Sequence, residues 1–265
     1  MNDWLHELPI LWMGSIVFGI TYLVTAAIYA VVYRLTNGER GRRWLKGSSA
    51  GMLPPVGILF GLFVAFTAAQ GWSQNERAAA AVDREASALR AVLVYAAALP
   101  QEQQTRLRDL IAGYIAKAVN VEWPHMSERS ATVAINPQKL STALRLVLSE
   151  TPSDRGQEIA QREIVANMSA ALDARRTRIL ISGEHVNMVK WSVLLLQAVC
   201  ALLTIACVHS DTRIAGGLMM TIFATGIAAS VLVVLAHDRP FVGQFKIGPD
   251  PLLQVMPAAA GPEDE

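Results

Sequence analysis

The chain has 265 residues, a formal net charge of +1, 52% hydrophobic and 17% charged residues, and two cysteines. The charged share lies well below the quarter or so usual for soluble domains, and a near-neutral balance without a basic stripe excludes a nucleic-acid partner. Cys200 and Cys207 share one apolar run, with no His or further Cys at ligand spacing, so they read as small packing residues rather than a metal or redox pair.

In chain order, the first apolar run covers residues 8–33 and contains no Asp, Glu, Lys, Arg or His. Roughly 20 apolar residues in a helix cross the ~30 Å hydrocarbon core of a bilayer, so this is a span. Residues 1–7 lack Lys and Arg, and the run is too long for the apolar part of a cleavable signal peptide. The following loop, 34–50, carries Arg34, Arg40, Arg42, Arg43 and Lys46 against Glu39. Short basic loops stay in the cytoplasm, which by itself places the loop inside and the rest of the extramembrane chain outside.

A second uncharged run, 52–69, begins Pro54-Pro55-Val56-Gly57-Ile58 and continues Gly61-Leu62-Phe63-Val64. The two prolines are expected to bend the chain where it meets the membrane. Gly57 and Gly61 form a small-xxx-small patch that lets another helix approach closely. No Gly or Pro lies between Trp72 and Pro100, so the helix is expected to run on past the membrane.

Residues 73–189 form a polar block with helical periodicity. Leu107, Leu110, Ile111, Tyr114, Ile115 and Ala118 predict a helix over 106–121. Similar stripes predict helices over 138–148 and 155–181, with breaks at Pro100, at 122–137 and at 151–153. Asp83, Arg84 and Glu85 read as a solvated face with local ion pairs. Glu122, Trp123 and His125 fall on a loop between helices and read either as an interface or ligand pocket or, more simply, as a loop with Trp123 as its anchor. Arg175, Arg176 and Arg178 are basic residues close to the next span, and they weigh against the sidedness that the short loop suggests.

Two further uncharged runs, 191–208 and 214–236, are separated by a tight turn carrying His209, Asp211 and Arg213 at headgroup level. A tail begins Asp238-Arg239-Pro240-Phe241 and offers an anchor for the C-terminal segment. The domain organisation is therefore a first transmembrane pair with its basic loop (1–72), an extramembrane helical block (73–189), a second pair (190–236) and a tail (237–265). The fold class is all-α, a four-span membrane protein with a helical bundle inserted between spans two and three. The abundance of Ala and Arg, with few Lys, is the composition of a GC-rich bacterial genome, and for a multi-span chain of that origin the expected location is the bacterial inner membrane.

The second span resembles that of bestrophins. Pro55, Gly61, Val64, Trp72 and Gln74 fall in register with the bestrophin pattern, and Phe63 stands where an aromatic is expected. The Gly-x-Leu-Phe-Gly-Leu core, Glu122-Trp123 and the Asp-Arg-Pro-Phe of 238–241 are similar to a bacterial membrane family described as bestrophin-like. The resemblance implies a homo-oligomer, a pentamer, that conducts small ions passively, with anions preferred, and a cytosolic block. It carries the pore neck onto Pro54, Ile58 and Leu62. Ile58 and Leu62 keep the apolar character, while Pro54 departs from it. The acidic run of calcium-gated bestrophins is missing, since 244–251 holds only Asp250, too few oxygen ligands for calcium.

No Ser/His/Asp set, Walker loop, dinucleotide fingerprint or metal-spaced cluster is present in the sequence, so no catalytic residue, cofactor or metal is expected. The spans also lack the ionisable residues of proton-coupled carriers. Beside the channel stands a second reading, a non-conducting membrane-anchored helical sensor or scaffold.

Overall fold

The computed structural model describes residues 8–36, 51, 53–128, 130–131, 133, 137–183, 188–210 and 212–257. The loop residues Arg40, Arg42, Arg43 and Lys46, together with Asp211, lie outside the described residues. Every regular element among the described residues is helical. In chain order they are α1 (Ile10–Leu35), α2 (Leu53–Tyr95), α3 (Gln101–Lys117), α4 (Trp123–Ser127), α5 (Gln138–Leu148), α6 (Arg155–Gly183), α7 (Met188–Val208), α8 (Arg213–Ala236) and α9 (Asp250–Leu253). A 3-10 turn, Ala96–Ala98, ends α2, and a π turn, Ala118–Glu122, joins α3 to α4.

Four of these helices, α1, α2, α7 and α8, are long and apolar enough to cross a membrane. The chain divides into two compact units, Met1–Ser73 with His185–Phe245 and Gln74–Glu184 with Lys246–Glu265. The first unit holds α1, α7, α8 and the start of α2. Its core contains Val32, Phe60, Leu202, Ile205 and Met220, with a second cluster of Met13, Trp191, Leu194 and Leu235. Hydroxyls within the spans bond back to their own helix: Thr21 and Thr67 donate to the carbonyls of Val17 and Phe63, each at 2.8 Å. Such back-bonding leaves neither of these donors unsatisfied in hydrocarbon.

The two prolines do not act as expected. Leu53 is the first residue of α2, so Pro54 and Pro55 sit in its first turn. There a missing N–H costs nothing, because the first N–H groups of a helix have no intrahelical partner, and the fixed φ of proline suits the helix. The helix begins at the prolines rather than bending at them.

In the second unit α3 turns Leu107, Ile111, Tyr114 and Ile115 inward, and α5 does the same with Leu140, Ala143 and Val147. α3 packs on α5, and α5 on α6. The expected break at residue 122 is absent. The chain stays helical through the π turn into α4, and Pro124 falls within the first two residues of α4, where it is tolerated. The extra residue of a π turn shifts the helical register, and here it brings both Glu122 and Trp123 to buried positions. Within this unit Trp123 Nε1–H donates to the carbonyl of Ile247 at 3.2 Å, while Leu252 and Val255 are buried.

Candidate functional site

Span two has two faces of different character. Phe60, Val64 and Thr67 point into the first unit, Phe60 and Val64 beside residues of α7 and α8, and Thr67 is 4% exposed. At ~100° per residue the opposite face carries residues 58, 62 and 66. Ile58, Leu62 and Phe66 are 68%, 51% and 67% exposed, and Pro54 is exposed in line with them. Leu59, on the flank, is 59% exposed. A side chain placed on Gly57 or Gly61 would meet nothing within 4 Å. In its most apolar stretch only 11% of span two is buried, against 39% for α7 and 33% for α8. The helix bearing the neck candidates is thus the least covered of the four.

The tail motif lies in the same unit. Asp238, Arg239 and Phe241 are 4%, 8% and 3% exposed, and Pro240 is buried beside them. His237 stacks on Phe245 with ring centroids 5.9 Å apart and meets Trp72 at 5.5 Å.

The second unit is built around a buried charge network that the sequence pattern did not reveal. Glu85, expected on a solvated face, is 0% exposed, as is Arg178. The Arg178 guanidinium grips Glu85 with both arms, Nε to Oε2 at 2.7 Å and Nη2 to Oε1 at 3.1 Å. Its Nη2 also donates to Glu122 Oε2 at 3.0 Å. Arg175 reaches Glu122 Oε1 through Nε at 2.9 Å and Nη2 at 2.7 Å. The Tyr114 hydroxyl donates to Glu85 Oε1 at 2.5 Å. The guanidinium carbon of Arg178 lies 4.5 Å from the centre of the Trp123 ring, a cation–π contact.

Four elements therefore meet at one point: α2 through Glu85, α3 through Tyr114, the π turn through Glu122 and α6 through Arg175 and Arg178. Burial pushes the Glu122 carboxyl up, but the Arg175 and Arg178 guanidiniums outweigh burial and hold it below the usual carboxylate range. Burial, reinforced by the neighbouring Glu85 carboxylate, pushes the Tyr114 phenol well above its ordinary value. Burial lowers the Arg178 pKa, yet Glu85 more than offsets this, and the guanidinium stays charged. Arg175 and Arg178 are consequently not juxtamembrane surface charges. They are consumed inside the second unit.

The missed signal was a periodic one. Residues 78, 82, 85, 89 and 92 form one buried stripe of α2, continued by Ala96 of the 3-10 turn, and Glu85 is its only carboxylate. On α6 the stripe runs 164, 168, 171, 175 and 178, so both arginines fall in apolar register. Charges set within an apolar stripe on two helices foretell a buried pair.

Four spanning helices with a bare apolar face on the second, and a second unit locked by internal ion pairs, define an all-helical multi-span membrane protein. The bestrophin-like domain matches residues 19–252; the chain belongs to the bestrophin-like family. Among solved structures, a membrane protein crystallised as a proline-to-alanine variant aligns with a TM-score of 0.65 at 11% identity, covering 90% of this chain and 96% of that one. A bacterial bestrophin homologue from Klebsiella pneumoniae, in a tyrosine-to-alanine variant, aligns with a TM-score of 0.64 at 12% identity, covering 89% and 95%. A leucine-to-threonine variant of a bestrophin homologue from the same organism gives 0.64 at 11% identity, covering 90% and 96%. At such identities the likeness is one of fold. No curated protein matches the sequence.

Proposed function

We propose that this protein is the subunit of a homo-oligomeric passive ion channel of the bacterial inner membrane, with span two lining the axis and Ile58 and Leu62 forming an apolar constriction. The observation that supports this is the bare face of span two, which carries the neck candidates and is left uncovered by the other three spans. In a ring of copies, most simply a pentamer by the bestrophin resemblance, such residues would narrow the axis. An apolar ring expels water, and an ion crossing it loses hydration that nothing there replaces. The resemblance favours small anions as the cargo. Gly57 and Gly61, open in the protomer, would let a neighbouring helix approach. Four spans would put both termini and the block of residues 73–189 on one side of the membrane, and the basic loop on the other.

Ion flux into vesicles reconstituted with purified protein tests the proposal. Ile58→Ala and Leu62→Ala should widen and wet the constriction and raise the flux, whereas Leu59→Ala, about 100° round the helix, should change it less. If wild type and Ile58→Ala are both silent while the oligomer stays intact, the channel is excluded and a non-conducting sensor or scaffold remains.

A further inference from the structure

In the second unit a cavity of about 160 Å³ opens where the end of α2, the start of α3, the end of α5 and the start of α6 converge. It shares no residue with the buried charge network. Leu99, Pro100, Leu146 and Pro152 give it an apolar wall, and Val147, 4% exposed, lies at its floor. Glu150 and Thr151 are exposed and stand at its mouth. An apolar cavity of about 150 Å³ accommodates benzene, so this one has room for a single ring or a short hydrocarbon chain.

Side-chain bonds across the connection from α5 to α6 hold these walls in place. Gln161 Nε2 donates to the carbonyl of Val147 and, at 3.0 Å, to that of Glu150, which ties the first turns of α6 to the end of α5. Gln157 Oε1 accepts the Ser153 N–H at 3.0 Å and the Ser153 hydroxyl at 2.9 Å. The Glu150 carboxylate, by contrast, takes part in no hydrogen bond or ion pair among the described residues.

The sign of charge that the cavity favours follows from its lining. Glu150 is the one charged residue among those that line it. The end of α5, at Leu148, adds the negative end of a helix dipole. The opposing N-terminus of α6 is covered by Asp154, whose Oδ1 accepts the Gln157 N–H at 2.9 Å. Arg155, about 200° round α6 from Gln157, is not part of the lining.

We propose that this cavity binds a small organic cation, a primary ammonium group carried on one ring or a short hydrocarbon chain. The ammonium pairs with the Glu150 carboxylate, and the apolar body lies against Leu99, Pro100 and Leu146. Water on that apolar wall finds few polar partners, and displacing loosely held water by an apolar group adds affinity. A charge-assisted hydrogen bond from ammonium to carboxylate is stronger than one between neutral groups. The site lies within one protomer and stands whether or not the axis conducts.

Thermal unfolding of the full chain in detergent, titrated at neutral pH with phenethylamine, phenylethanol, phenylpropionate or ethylamine, tests this. A ligand that binds only the folded state raises the midpoint saturably. Phenethylamine, protonated at this pH, should raise it by a few degrees. The neutral alcohol should need a several-fold higher concentration, and the carboxylate and the ringless ethylamine should have no effect. Glu150→Gln, an exposed change, should leave the unliganded midpoint in place and erase the advantage of the amine over the alcohol. Leu146→Trp should fill the cavity and abolish both responses; if that variant folds poorly, the Glu150→Gln comparison decides alone. Partition of the ligands into detergent is common to wild type and variants and cancels in the comparison. An amine advantage that survives Glu150→Gln overturns the proposal, as does a carboxylate that matches the amine, or a wild type that responds to none of the four.

Discussion

Arg178 holds Glu85 through two hydrogen bonds, 2.7 and 3.1 Å long, although the two residues stand 93 positions apart and neither exposes any surface. The pair fastens α6 to the extension of span two. Within the second unit this fixes the helix that continues span two to the helix that leads toward span three.

Removing Glu85 leaves the buried Arg178 guanidinium to share Glu122 with Arg175 and strands the Tyr114 hydroxyl without its acceptor. Glu85→Ala should destabilise the second unit by about 3–5 kcal/mol. The triple replacement Glu85→Leu, Arg178→Met and Tyr114→Phe exchanges the pair and its hydroxyl donor for apolar groups and, with Glu122 still paired to Arg175, should recover part of that loss, as buried pairs replaced by hydrophobic residues often do. Denaturant unfolding of the full chain, followed by circular dichroism, distinguishes these outcomes. A triple variant as unstable as Glu85→Ala would show that the pair itself, and not the groups stranded by its loss, supplies the stability.

The titration of the network sets two limits in pH. Glu122 has its folded pKa depressed from an ordinary value near 4.5. Its contribution is present above the unfolded pKa and is lost as pH falls below about 4.5 toward the folded value. Tyr114 has its folded pKa raised from an ordinary value near 10. Its contribution is intact below pH 10 and is lost as pH climbs past it toward the folded value. Glu122→Gln should flatten the acid limb of a stability–pH profile, and Tyr114→Phe the alkaline limb. Tyr114→Phe should also cost about 1.5–3 kcal/mol at neutral pH, the usual worth of a hydrogen bond to a charged group.

Gly216 marks a close approach between α1 and α8. A Cβ at that position would collide with the Tyr33 hydroxyl and press on the backbone carbonyl of His209. Gly216→Ala should therefore destabilise the first unit by about 1–3 kcal/mol, the usual cost of overpacking. Adding Tyr33→Phe removes the nearest obstacle and should restore part of the loss. A midpoint unchanged by Gly216→Ala would mean that the tyrosine swings aside freely.

Gly61 behaves oppositely. Since nothing lies within 4 Å of a side chain placed there, Gly61→Leu should leave the protomer's helicity and unfolding midpoint nearly unchanged. Any fall in mass measured in detergent would then report contacts between copies, because added bulk forces neighbouring helices apart. A wild-type protein that measures as a monomer would remove the basis for the axial pore.

The sequence alone determined the four spans and most of the remaining helices, because each rests on local physics. An uncharged run of bilayer length admits one reading, and the stripe of Leu140, Leu144 and Val147 led to the helix Gln138–Leu148 with both ends in place. The family too was legible, in the Gly-x-Leu-Phe-Gly-Leu core and Asp238-Arg239-Pro240-Phe241. Where local physics allowed two outcomes, the tertiary structure decided. Glu122 was read as a loop residue and Glu85 as a solvated one, yet a π turn carries the first inward and the second lies in an apolar stripe. A carboxylate on a helix is exposed by default, since burying it alone is costly. Only the arrival of Arg175 and Arg178 from a helix distant in sequence makes that burial tolerable; each helix shows its charges in apolar register, but which of them meet is decided by the tertiary packing.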